Sequence, residues 1–384
     1  MGFQKRVANK KLIMIRGKLV NQALGIFVVG LSFIAGKALA AQPDASLLQA
    51  KKDAEARGFV FATSHDEIVA KAKQEGTLRV LHGFEHDAIK ALQEGFGKKY
   101  PFIKARYEEV AGESAQRFML ELKSGRTVDW DIIHVNASMY GDYPPFLEKV
   151  DLLQMGARGV LQIPPKMVSP ASGSVVATAT ILDVLVYNKR VLPAELVPNS
   201  WEDLLKPEYK GKKFLLDIRP FSVAALVPAM GKDWVVNYAR RLAAQDPIWI
   251  RGSSRALTGM SAGEFSLSLG PYHSVVMQKR RGGADLEVSF PEPIPARLSD
   301  IHGILKGARY PYAAMLFLEY AAGSEGQKIL DETEVKSSIY SPGTKLEQLV
   351  RGKKISVIDW SHLDRQASYE EAIVAAYGFP KVTK

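Results

Sequence analysis

Residues 78–135 read LRVLHGFEHDAIKALQEGFGKKYPFIKARYEEVAGESAQRFMLELKSGRTVDWDIIHV, and the apolar period along them decides the fold. Leu78 to Leu81 is a short apolar run of strand type, and Asp87 to Lys99 then sets Ile89, Leu92 and Phe96 on one helical face. Ile103 to Val110 is a second strand, Ser114 to Ser124 a helix joining Phe118, Met119 and Leu122, and Asp131 to Val135 a third strand. Strand, helix, strand, helix, strand is the pattern of a parallel α/β sheet with right-handed crossovers.

Working outward, residues 41–75 read as helix, with Ser64 marking a start and Gly76 a stop. Downstream, the Pro/Ser/Gly-rich stretch Ile163 to Ser174 precedes a second block. There Val184 to Tyr187, Lys213 to Asp217, Ile248 to Arg251 and Phe265 to Leu269 are strands. Phe221 to Met230, Asp233 to Ala244 and Ser254 to Ala262 are helices, and Ser200 with Asp203 caps one more. No fixed-period repeat is present, which excludes a solenoid or propeller. The expectation is two α/β lobes with the chemistry between them, where strand ends and helix N-termini converge.

The chain has 384 residues, 47% hydrophobic and 24% charged, enough for about two domains at roughly 150 residues each. It contains no Cys, which excludes disulfides, thiolate metal sites, a cysteine nucleophile and a lipidated cysteine. Residues 1–40 carry seven Lys and Arg and no acid, an apolar run from Ala23 to Ala35, and Ala38 and Ala40 as small residues before a cut. This reads as a signal peptide cleaved after Ala40, so the expected location is the periplasm. Removing the segment takes the net charge from +10 to +3, which leaves no electrostatic case for nucleic acid.

Gly259 to Gly263 matches G-x-S-x-G, with Asp285 or Asp300 and His302 in triad order. A nucleophile elbow needs a strand before the serine and a helix after it, whereas here helix precedes and strand follows, so Ser261 reads as a turn. The sequence holds no HExxH, Walker loop or strand-following GxGxxG. Polar loops instead sit at helix starts, where free N–H groups and the helix dipole favour an anion. In the first block these are His82, Phe84, Glu85 and His86; Gly112, Glu113 and Ser114; and Asn136 to Ser138. In the second they are Phe221 and Ser222, Arg251 to Ser254, and Gly270 to Ser274, which includes Tyr272 and His273.

Several of these segments carry a resemblance as a set. They are His82 to His86, Phe96 to Pro101, Asp131 to Ile133, Val186 to Lys189, Ser200 to Leu205, Tyr209 to Lys212, Ala262 to Glu264, Ala313-Ala314 and Gly323 to Gln327. From about residue 65 onward the chain resembles the extracellular solute-binding proteins of ABC importers, in the branch that includes the ferric-iron-binding proteins. The resemblance implies a type 2 periplasmic binding fold, two α/β lobes crossed twice by the chain. Residues 77–175 with 295–345 would form one lobe and 176–294 with 346–384 the other, after an N-terminal helical extension at 41–76. It also implies a monomer without catalysis or cofactor that traps a small ligand and delivers it to an inner-membrane permease. For ferric iron as ligand, His86, Tyr272 and His273 would fall on the metal positions, with Asn136 in place of the family's Glu and His273 in place of its second Tyr. That exchange removes anionic oxygen from a hard-cation site. The alternative is a small organic or oxyanion solute. Arg251 would then be the charged fork, Ser114, Ser253 and Ser254 donors, and Tyr272, His82 or Phe84 walls, with Ser222 a further ligand-binding candidate.

Overall fold

The structure, a computed structural model, describes residues 44–110, 112–126 and 129–379; the expected signal peptide lies outside them. The first part of the chain runs α1 (Ala45–Ala56), α2 (His65–Glu75), β1 (Thr77–His82), α3 (His86–Lys99), β2 (Lys104–Glu109), α4 (Glu113–Lys123), β3 (Ile132–Val135) and α5 (Leu152–Ala157). The middle runs β4 (Val175–Asn188), β5 (Leu215–Asp217), α6 (Phe221–Ala224), α7 (Val227–Met230), α8 (Lys232–Ala243), β6 (Ile248–Ile250), α9 (Ser253–Ser261), β7 (Leu267–Tyr272), α10 (His273–Arg281) and β8 (Leu286–Ser289). The last part runs β9 (Ile294–Ile304), α11 (Pro311–Ala322), α12 (Ser324–Thr333), α13 (Lys345–Val350), β10 (Ile355–Ile358) and α14 (Gln366–Tyr377). Among the described residues no helix is long and apolar enough to cross a membrane.

The strands order β2-β1-β3-β9-β4-β7-β5-β6, with β10 beside β9 and β8 beside β4. The expected parallel unit is present, since β1 pairs β2 and β3 in parallel. The sheet as a whole is mixed, because β9 enters antiparallel to β3 and to β4. Strand β4 has 14 residues and serves both wings of the sheet. Val175 to Leu182 pair with β9, and Asp183 to Asn188 pair with β7 and β8. The sequence reading placed a strand only at Val184 to Tyr187, because Thr178, Thr180 and Asp183 interrupt the apolar run. Each is buried and has a partner. Thr178 Oγ1 donates to the Asp300 carbonyl, the Thr180 hydroxyl oxygen accepts from the Ile339 amide, and Asp183 pairs with Arg297.

Three other elements differ from expectation. The helix read at 41–75 is two helices, broken at Gly58 (φ +77) so that Phe61 and Ala62 can bury. Residues 221–230 form two short helices, and the segment capped by Ser200 is a single 3₁₀ turn, Glu202–Leu205. Its capping box is nonetheless made. Ser200 Oγ accepts from the Asp203 amide at 3.2 Å, and Asp203 Oδ2 accepts from the Ser200 amide at 2.9 Å.

Helix α11 is apolar but for Glu319, whose carboxylate meets His65 and the Gln162 amide, and it lies inside the first wing with ten residues from Ala313 to Ala322 buried. Its first turn is capped by Glu75, whose carboxylate accepts from the Tyr312 and Ala313 amides at 3.2 and 2.7 Å. Asp131, fully buried before β3, ties the same helix start to β1. It accepts from the backbone, Nε and Nη2 of Arg79 at 2.9, 2.9 and 2.7 Å, and from the Arg309 and Tyr310 amides at 3.0 and 3.2 Å.

Candidate functional site

Strand β1 ends in His82, and Gly83, Phe84 and Glu85 turn the chain into α3, whose first residue is His86. The turn is tight against its neighbours, since a Cβ on Gly83 would sit 2.7 Å from the His134 ring. His82 and Phe84 are buried, at 3% and 1% exposure, and do not offer themselves as open walls. Glu85 and His86 are exposed, while Ser114, near the start of α4, and Asn136, after β3, are half-buried. Asn136 Oδ1 accepts from the Ser138 amide at 3.0 Å, so part of that amide group is spent on its own turn.

Behind this turn lies a cluster the sequence reading did not find. His82, His134 and His302 occupy matched positions on the neighbouring strands β1, β3 and β9. The His134 and His302 rings are 5.5 Å apart, and Phe84 stacks on His302 at 4.7 Å. His82 Nδ1, His134 Nδ1 and His302 Nε2 are buried without a hydrogen-bond partner. Burial, with His134 beside it, pushes the His82 imidazole down to about 4, and burial lowers His134 and, with its two neighbours, His302 as well. The next groups are charged: Lys336 Nζ lies 3.0 Å from Asp300 Oδ2 and 2.9 Å from Glu334 Oε2.

In the second wing Asp217, the last residue of β5, organises two loops. It accepts from the Arg219 backbone and side chain at 2.9 to 3.2 Å and from the Gly252 amide at 3.0 Å. Arg297 of β9 is 8% exposed, and its Nε and Nη2 donate to Asp183 at 3.1 and 3.3 Å. Burial works against its charge, but Asp183 and then Tyr272 hold the guanidinium above its ordinary pKa. Its guanidinium carbon lies 5.2 Å from the Phe221 ring and 5.1 Å from the Tyr272 ring, and that of Arg219 lies 5.3 Å from Phe221. Ser222 is buried against Gly270, whose φ of +111 brings a would-be Cβ within 3.0 Å of Ser222 Oγ.

The structure therefore joins Ser222 and Tyr272 with Phe221, Arg219, Arg297 and Asp183. It does not bring all the expected second-lobe residues there. Ser253, half-buried, opens α9. Arg251 is exposed and lines a depression of about 550 Å³ with Trp249 and Phe265, and Ser254 lines another with Thr258, Ser261 and Gln278. The His273 ring is 7% exposed and 5.8 Å from Phe290, and burial, then Arg280, lowers it to about 4. Ser261 Oγ donates to the Leu257 carbonyl at 2.7 Å within α9, as a helix-end serine does. Among the described residues no group of three His, Asp or Glu side chains is arranged to hold a metal ion. Arg219 was within reach of sequence reasoning, because it lies two residues beyond the end of strand β5. Arg297 and Asp183 were not, lying inside long strands 114 residues apart.

Against known proteins, residues 146–366 match the family described as bacterial extracellular solute-binding protein. A curated uncharacterized protein of Haemophilus influenzae is 28% identical over 139 residues, which are 35% of this chain and 40% of that protein, so the match spans less than half of the relative. Among solved structures, the ferric binding protein from Campylobacter jejuni superposes with a TM-score of 0.62 at 16% identity, over 79% of this chain and all of that one. The apo ferric ion-binding protein A of Pasteurella haemolytica gives 0.61 at 19%, over 80% and 100%. The periplasmic binding protein AfuA from Actinobacillus pleuropneumoniae, bound to exogenous fructose-6-phosphate, gives 0.56 at 18%, over 79% and 97%. These are binding proteins rather than enzymes, and the fold they share is the type 2 periplasmic one. With more than half of its length matched, this chain belongs to the bacterial extracellular solute-binding protein family.

Proposed function

We propose that the chain is the periplasmic receptor of an ABC importer, a monomer exported by its first 40 residues, which captures a small oxygen-rich anion and passes it to an inner-membrane permease. The lobes are residues 77–175 with 295–345 and 176–294 with 346–384. A solute can favour closure only by touching both, because one held by a single lobe has equal affinity for the open and closed states. His86, Ser114 and Asn136 serve the first lobe, and Ser222, Ser253, Tyr272 and Arg219 the second.

The observation that carries the anion reading is the arginine–aromatic cluster. Arg297 is committed to Asp183 and steadies Phe221 and Tyr272, whereas Arg219, held through Nε and Nη2 by Asp217, keeps about a third of its side chain open and can offer its remaining Nη1 donors to an oxyanion. AfuA, with its sugar phosphate, is consistent with such cargo. Ferric iron is the second reading, favoured by the ferric-binding neighbours and by Tyr272 at the end of β7. Native mass spectrometry and metal analysis of protein purified from its own host separate the two. The anion reading expects a co-purifying organic anion that Arg219→Ala releases. Stoichiometric iron with a visible tyrosinate absorption, lost in Tyr272→Phe, would overturn it.

A further inference from the structure

The turn from β1 into α3 carries the exposed ligand candidates Glu85 and His86, so what holds this turn sets how well the first lobe presents them. Glu85 is the N-cap residue of α3, and its side chain makes no capping hydrogen bond. Its amide is one of those a helix start leaves without an intrahelical partner. It donates instead across 249 residues of sequence, to Glu334 Oε1 at 2.8 Å. Glu334 is 2% exposed and reaches the turn from the segment that follows α12. Its other oxygen, Oε2, faces Lys336, which also pairs with Asp300. The backbone is bent to make this arrangement. Val335, between Glu334 and Lys336, has φ +54, and Asp300 has φ +47 inside strand β9. A β-branched residue in that region is strained, and such strain persists only where the surroundings impose it.

We propose that Glu334 is a proton-operated latch on the ligand-presenting turn: as a carboxylate it grips the Glu85 amide, and as a carboxylic acid it lets the turn loosen. The inference rests on the reading that this turn meets the solute. The charges in the cluster explain why Glu334 is the group that responds. One cation, Lys336, faces two carboxylates, Asp300 and Glu334, and the imidazoles of His82, His134 and His302 packed beside them are held neutral by burial. Burial, together with the Asp300 charge and against the pull of Lys336, pushes the Glu334 carboxyl up to about 7. The usual order is inverted, and on mild acidification the proton goes to the carboxylate before the histidines. A charged acceptor makes the stronger hydrogen bond, so losing the charge weakens the grip on Glu85 about five- to tenfold.

The test is residue-resolved hydrogen exchange of the Glu85 amide in the ligand-free full chain at pH 8 and pH 6, each rate divided by its intrinsic value. Wild type should lose about five- to tenfold of its protection between the two. Glu334→Gln keeps a carbonyl acceptor that cannot titrate, and should give pH-independent protection at a reduced level. A flat wild-type profile, or a Gln variant that still loses protection on acidification, overturns the latch. Should the variant not fold, the side-chain carboxyl carbon shift of Glu334 in wild type decides: a midpoint near 7 supports the proposal and one below 5 refutes it. Because no solute is present, these outcomes are independent of whether the importer reading holds.

Discussion

Removing the Asp131 carboxylate, as in Asp131→Ala, leaves five N–H groups facing a void: three from Arg79 and the amides of Arg309 and Tyr310. Asp131 has no exposure and Arg79 only 9%, so water does not simply replace the lost acceptor. Breaking one side of such a buried pair costs about 3–5 kcal/mol. Arg79 also touches Asp129, which is exposed, and that contact recovers little of the loss. With an unfolding entropy of about 2.1 cal/mol/K per residue, the cost over the ordered chain corresponds to a Tm lower by roughly 4–7 °C. Differential scanning calorimetry of wild type and variant measures it. The control is Glu325→Ala, which removes an exposed partner of Lys99 and should stay within about 0.5 kcal/mol. If Asp131→Ala melts within about 1 °C of wild type, the buried network is not what joins β1, β3 and α11.

Two further outcomes follow from residues near the site. The His82 imidazole is lowered to about 4 in the fold against an ordinary 6.5, so its contribution is complete above pH 6.5 and is lost as pH falls from 6.5 towards 4. Urea unfolding at pH 7.5 and 4.5 should show His82→Asn sparing about 2–3 kcal/mol of wild type's acid loss, and equal losses in both would contradict the burial argument. Gly270→Ala places a Cβ at φ +111 and 3.0 Å from Ser222 Oγ, and should cost roughly 1–3 kcal/mol in urea midpoint analysis. Adding Ser222→Gly relieves the contact but not the backbone, so full rescue by that second change would refute a backbone origin.

The parts of the fold legible in sequence are those whose own residues carry the apolar period, wherever their packing partners lie. The unit from β1 to β3 was readable because Ile89, Leu92 and Phe96 recur at helical spacing within α3 itself, although that face packs largely on α11 and α12, where Phe96 meets Phe317 and Tyr320 at 5.3 and 5.8 Å. Strand β4 was seen only at its apolar end. The buried polar residues Thr178, Thr180 and Asp183 find partners at Asp300, Ile339 and Arg297, which no local pattern announces. The site divides the same way. Helix-start loops marked Glu85, His86, Ser114, Ser222 and Tyr272, because a strand end followed by a helix start is a local signature. Residue type alone could not show that His82, Phe84 and His273 are buried. Nor could it show that Arg297 would cross from β9 to Tyr272, or that Glu334 would hold a turn 249 residues upstream.

Strand β4 hydrogen-bonds to β9 over its first eight residues and to β7 and β8 over the remainder, and one hydrophobic cluster joins Val175 and Ala177 at its start to Leu185 near its end. A gene cut anywhere along residues 175–188 would therefore leave each fragment with an unpaired sheet edge. Two-fragment reconstitution, or the insertion of a reporter domain, would have to place its breakpoint in a surface loop and keep this strand whole.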